Sequence, residues 1–188
     1  MNNLHRQLAP VSDAAWAQIE DEASRTLKRH LAGRRVVDVP EPKGLALSAV
    51  GTGHVRQIQG PADGIAAQQR EVKALVELRV PFELSRQQID DVERGALDAD
   101  WGPVKDAARK IAFAEDRAIF DGYAAAGIQG IREAGSNAAL RLPASVRGYP
   151  GAVAQAVSAL RLAGCNGPYA LVLGADAYAA ASGGNDDG

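Results

Sequence analysis

An α+β fold is the class that these 188 residues predict, and three stretches carry the prediction. Trp16, Ile19, Ala23, Leu27 and Leu31 recur at helical spacing and form one apolar stripe. Val72, Ala74, Val76, Leu78, Val80, Phe82 and Leu84 alternate without a gap, with Lys73, Glu77, Arg79 and Glu83 between them, as a strand requires. Residues 101–127 read as a long helix with apolar residues on two faces, Val104, Ala108, Ile111 and Ala118 on one and Phe113, Phe120 and Ala124 on the other. A helix of that kind is covered on both sides, as a central spine is.

In chain order, the first helix spans residues 12–33. Ser12 or Asp13 can cap its start, and Gly33 can end it in a left-handed turn. Glu20, Asp21 and Glu22 lead while Arg25, Lys28 and Arg29 trail, which suits the helix dipole. "RRVVDV" follows as a short strand stopped by Pro40 and Pro42. In residues 43–71, "LALSAV" and "HVRQI" read as two strands joined through Gly51-Thr52-Gly53, a hairpin arm with little core of its own. Isolated hairpins are marginal in water, so the arm needs a partner surface.

The long strand of residues 72–84 comes next, with Pro81 marking an edge or bulge near its end. Ser85 and Gln88 form a capping box for a short helix that Gly95 terminates. Pro103 suits the first turn of the spine helix and Gly127 its end. "PGAVAQAVSALRLAG" is a further helix with Val153, Ala156, Val157 and Leu160 facing a core. "GPYALVLG" is a turn and a buried strand. "ADAYAAASGGNDDG" starts as a short helix near Asp176 and runs into a polar, glycine-rich tail.

Bulk composition excludes several function classes. Lys plus Arg is 21 and Asp plus Glu 23, with no basic block, which argues against coating nucleic acid. No apolar run approaches the roughly 20 residues that span a bilayer, and the N-terminus lacks a secretory h-region. Cys165 is the one cysteine, in "GCNG", which suits a reducing cytoplasm and an inert loop thiol.

The densest functional lure is "FELSRQQIDDVERGALDADW", with Glu83, Asp90, Asp91, Glu93, Asp98 and Asp100 in a short span. No His or Cys accompanies these acids at ligand spacing, and no calcium-loop pattern appears. Arg86 with Asp90, and Asp90 with Arg94, are i,i+4 pairs, so the stretch reads as a solvated or interface-facing helix and a polar turn. Glu115 and Asp116 invite a catalytic reading, but they point in different directions and Arg117 offers a plain partner. His5, His30 and His54 stand isolated. H-E-x-x-H, G-x-S-x-G and Walker A patterns are absent, and "GTGHVRQ" lacks dinucleotide-loop spacing. The expectation is a protein that is not an enzyme and holds neither metal nor cofactor.

The combination of "MNNLHRQLAPVSDAAWAQIEDEA", "KRHLAGRRVVDV", "LRVPFELSRQQIDDVERG", "VKDAARKIAFAEDRAIFDGY" and "GPYALVLGADAY" resembles the encapsulins, bacterial shell proteins that include the linocin-like sequences. The resemblance runs over essentially the whole chain. It implies the fold of tailed-phage major capsid proteins, the Hong Kong 97 type. Residues 1–42 would hold the N-terminal helix and the start of the P-domain, and residues 43–71 the E-loop. Residues 72–134 would be the P-domain with its spine helix, and residues 135–188 an incomplete A-domain ending in the fivefold pore loop.

The implied function is self-assembly into an icosahedral nanocompartment in the cytoplasm, without nucleic acid or membrane. The shell encloses a cargo enzyme carrying a C-terminal targeting peptide, a dye-decolourising peroxidase or a ferritin-like protein. The positions matching the family's cargo groove are Leu27, His30 and Leu31, with Arg34 and Asp38 beyond them. An apolar slot takes aliphatic side chains and flanking charges fix their register; a plain core role for Leu27 and Leu31 is the alternative. Some relatives bind flavin against an aromatic residue where this chain has Arg86-Gln87-Gln88, so the resemblance implies no flavin.

Family members continue well beyond this length. The chain is therefore expected to be a fragment, one part of a split subunit, or a truncated gene product, completed by a C-terminal fragment of the same subunit. Gly183, Gly184, Asn185, Asp186, Asp187 and Gly188 would then fringe the pore. A phage capsid protein is the alternative reading, and a hydrolase or protease a remoter one.

Overall fold

The computed structural model describes residues 5–183. The chain falls into two compact units, one up to Ala134 and one from Gly135.

In the first unit, α1 (Asp13–His30) begins as its sequence dictates, with the Ser12 hydroxyl accepting the Ala15 N–H at 3.2 Å. Ahead of it, the Arg6 guanidinium lies 4.9 Å over the Trp16 ring and pairs with Glu20, which fastens the 3-10 turn Arg6–Leu8 to the helix. The far end differs from expectation. Leu31 turns the backbone out in an extended conformation, and Gly33 sits in a 3-10 turn, Gly33–Arg35, rather than in a left-handed cap. Glycine is needed there for proximity: a Cβ would stand 2.6 Å from the Ile119 side chain. The expected strand "RRVVDV" does not form; its first residues belong to that turn and the rest is irregular.

β1 (Ala49–Ile58) pairs antiparallel with β2 (Ala67–Ala74) in a two-stranded sheet, in register from Ala49↔Ala74 to Ile58↔Ala67. The anticipated two strands on either side of Gly51-Thr52-Gly53 are thus one strand, interrupted by a register shift between Gly51 and Val55. Thr52 holds that irregularity, donating to the Glu71 carbonyl and accepting from the His54 N–H. No residue of either strand is buried.

The strongest strand pattern in the sequence is only partly realised. β2 stops at Ala74, and residues 75–84 join no sheet among the described residues. A strand exists only as a pair, so alternation alone cannot make one. Val76, Leu78 and Phe82 are each exposed.

α2 (Arg86–Glu93) carries its Ser85 cap, which accepts the Gln88 N–H at 3.2 Å, and Gly95 follows in the left-handed region. Arg86 pairs with Asp90 at 3.9 Å, whereas Arg94 takes Asp91 instead of the expected Asp90. α3 (Gly102–Phe120) has Pro103 in its first turn but ends earlier than Gly127. Gly122, at φ 87°, turns the chain out, and Tyr123 and Ile128 then bridge through both backbone bonds. α4 (Ile131–Ala134) is a single turn.

The core of this unit lies where α1, α2 and α3 meet. Ala15, Ile19, Val92, Trp101 and Val104 are buried, with Trp16, Leu84 and Ile89 packed against them. The Trp101 indole N–H donates to the Gln18 side chain at 3.1 Å, so its polar atom is satisfied as the ring is buried.

The second unit contains α5 (Tyr149–Leu162) and α6 (Ala175–Gly183). Val153, Ala156, Val157 and Leu160 are half-buried along one face of α5. The expected strand in "GPYALVLG" is absent, and Leu171 is 62% exposed. Among the described residues, none in this unit is fully buried.

Candidate functional site

The end of α1 crosses the middle of α3, and most of the anticipated groove residues gather there. Leu31 is buried, and Leu27 and His30 are half-buried. The His30 ring meets the Phe113 ring edge-on, with centroids 5.6 Å apart and planes at 77°. Helical spacing explains the grouping, since residues 27, 30 and 31 share one side of α1.

Two carboxylates of α3 fix this crossing. Asp116 accepts the backbone N–H of Ala32 at 2.9 Å and of Gly33 at 2.7 Å. Glu115 takes the Arg34 guanidinium in a two-pronged ion pair, Nε to Oε1 at 2.5 Å and Nη2 to Oε2 at 2.8 Å. The hydrogen bond that Arg34 donates to Glu115 holds the Arg34 pKa above its ordinary value, against the partial burial that lowers it. Arg117 is therefore not the partner of these acids, as their adjacency in sequence suggested. Their partners lie more than 80 residues away, a relation with no local signal. Asp38 is exposed, and no ion pair or hydrogen bond of its side chain occurs among the described residues. The five anticipated residues thus divide: Leu27, His30 and Leu31 form a packed strip, Arg34 is engaged by Glu115, and Asp38 stands apart.

Beside the strip opens a cleft of about 950 Å³, lined chiefly by apolar side chains such as Val37, Leu75, Val76, Leu78, Phe113 and Ile119. Phe113 belongs to both the cleft wall and the His30 contact. The sequence signal for the cleft is partial: Phe113 from the second apolar face of the spine helix and Ala118 from the first both line it, whereas Phe120 and Ala124 do not.

Among the described residues, no group of three or more His, Cys, Asp or Glu is placed to hold a metal ion, and no helix is long and apolar enough to cross a membrane. Of the anticipated pore residues, Gly183 ends α6. Gly184, Asn185, Asp186, Asp187 and Gly188 lie outside the described residues.

A small core, a projecting two-stranded arm and broad open apolar faces describe a subunit made for contact with further protein. Comparison supplies the family. Residues 1–188 match the Linocin_M18 model, described as an encapsulating protein for peroxidase, and the chain belongs to that family. The type 1 encapsulin shell protein of Rhodococcus erythropolis is 61% identical over 188 residues, covering all of this chain and 71% of the relative. That of Mycobacterium tuberculosis is 58% identical over the same span and share. That of Mycolicibacterium paratuberculosis is 62% identical over 178 residues, 95% of this chain and 67% of the relative. The resemblance to encapsulins read from the motifs therefore holds along the full chain.

Proposed function

We propose that this shell protein assembles with many copies of itself into a closed icosahedral nanocompartment, and that the compartment captures a cargo enzyme by its C-terminal targeting peptide. A dye-decolourising peroxidase fits the family description, and a ferritin-like protein is the other candidate cargo. The compartment is cytoplasmic in this reading.

One observation carries the proposal beyond family membership: the apolar surface is built but uncovered. Val76, Leu78 and Phe82 alternate along a segment with no strand partner among the described residues, and Phe113 on the spine helix is 54% exposed. Such a surface in water is costly, and large open apolar patches mark association sites. The rest of the capsid-type subunit, carried in this polypeptide or in a complementary one, is the natural cover for the spine and residues 75–84. Neighbouring copies cover the arm. In the Hong Kong 97-type layout, residues 1–42 and 72–134 form the P-domain, 43–71 the E-loop and 135–188 the A-domain, with residues 183–188 at the fivefold opening.

The cargo groove is the strip of Leu27, His30 and Leu31, bordered by Arg34 and Asp38. Arg34 enters this role already paired, so a peptide carboxylate must compete with Glu115. Asp38 is the flanking charge that is open to a peptide. The test is electron microscopy of particles purified with a peptide-tagged reporter, followed by mass spectrometry of their contents. Closed shells containing the reporter are expected. Dispersed subunits without particles would refute assembly, and empty shells would refute the cargo reading.

A further inference from the structure

The packing of α1 against α3 leaves a second recess, chemically opposite to the apolar cleft. Its volume is about 340 Å³, and it is lined by Arg25, Thr26, Arg29, His30, Lys105 and Arg109 around Glu22. Four permanently cationic side chains thus face one carboxylate, in a chain whose net charge is −2. The carboxylate is already spent: the buried Glu22 accepts from the Thr26 hydroxyl at 2.9 Å and pairs with Arg25. Arg109 pairs with Asp106 at 2.5 Å. Among the described residues, Arg29 and Lys105 have no ion-pair partner, and both are exposed. They approach from different helices, which is how a cationic recess with an unspent charge surplus arises.

We propose that this recess binds a small phosphoryl anion of the oligophosphate class. Guanidinium and ammonium groups converging on one concavity match several phosphate oxygens at once. The recess has room for more than one carboxylate. Copies of the chain brought together in an assembly would repeat the same surplus charge, and bound anions would relieve its repulsion.

The test uses the purified, assembled protein. Binding of sodium triphosphate is measured by equilibrium dialysis at fixed ionic strength, with orthophosphate and a short DNA duplex as competitors. The variant is Arg29→Gln with Lys105→Gln, which leaves the Glu22 pairs intact. Saturable triphosphate binding that weakens by about tenfold or more in the variant is expected, as loss of two charge-assisted bonds implies. Unchanged affinity, or no saturable binding to the native protein, overturns the proposal. So does a duplex that outcompetes triphosphate, because the surface would then be a nucleic-acid contact. If the variant fails to assemble, acylation of Lys105 in the native protein decides. Triphosphate should slow it relative to Lys28, and equal rates would count against the site.

Discussion

The knot of α1, α2 and α3 and the arm of β1 and β2 are built by opposite rules. In the knot, Val104 is 1% exposed and Trp101 is buried with its N–H bonded. In the arm, backbone pairing runs from Ala49↔Ala74 to Ile58↔Ala67, broken by one register shift, without one buried side chain. Hydrogen bonds alone contribute modestly, because water competes for the same groups. The knot is held by apolar burial and can order itself, whereas the arm has the form of a sheet without its usual driving force. In a shell protein that division has a use, since an element that lacks a core of its own is ordered by whatever it grips.

The largest expected effect tests the arm's side of this contrast. Deleting residues 46–66 should leave soluble subunits that form no closed shells, as seen by electron microscopy and light scattering. Its residues cannot offset the entropy of fixing the chain unaided. Normal particles from the deletion would show that the arm is dispensable and that the contrast has no bearing on assembly.

The knot should break differently. Trp101→Ala opens a cavity in the buried cluster with Ala15, Ile19, Val92 and Val104 and should cost about 3–5 kcal/mol, read as a lower urea midpoint and poor soluble yield. Leu171→Ala in the second unit should cost less than about 0.5 kcal/mol wherever that side chain stays exposed. A large loss from Leu171→Ala in assembled shells, with a small one in dispersed subunits, would reveal that assembly or subunit completion buries it.

These two regions also divide what the sequence could tell. Ser12 and Ser85 were legible as caps because a cap is local: the acceptor and the N–H it takes lie three residues apart. Leu27 and Leu31 were legible from helical period, whereas His30 joined them only through the resemblance to the encapsulins. Strands at 34–39, 75–84 and 169–174 were not decided by their patterns, because a ladder depends on a second segment. The helix end at Gly122 in place of Gly127 shows two glycines of equal local merit, the second lying inside the loop that the Tyr123–Ile128 bridge closes. The Glu115 and Asp116 contacts were invisible for another reason: ordinary acids meet ordinary partners some 80 positions away.

The groove effects should be smaller than the loss of assembly. Leu27→Asp with Leu31→Asp places charge in the apolar strip, and captured cargo should fall several-fold in shells that still close. Arg34→Glu sets an acid against Glu115 and should also reduce loading. The structure sharpens this with a charge swap, Arg34→Glu with Glu115→Arg. If Arg34 acts by clamping α1 to α3, the swap should restore loading. If its charge reads the peptide directly, the swap should load no better than Arg34→Glu alone. Intact shells with undiminished cargo in all three variants would move the groove elsewhere.

The smallest effect concerns Glu22, buried in α1 at 6% exposure where the helix faces α3. Burial pushes its carboxyl upward, but hydrogen bonds from Thr26 and Arg25, with the charges of Arg25 and Lys105, outweigh that and hold it below the ordinary 4.5. A carboxyl whose folded value is depressed stabilises the fold fully above its unfolded value. That contribution is lost as pH falls through the lower folded value. The knot should therefore lose stability below about pH 4.5, and Glu22→Gln should flatten this part of the profile while costing some stability at neutral pH. The arm has no such buried acid, so proteolysis within residues 59–66 should show no matching step when pH is lowered with an acid-tolerant protease. Equal acid sensitivity in Glu22→Gln and the native protein, by urea midpoints across that range, would mean that the Glu22 bonds do not set the knot's acid limit.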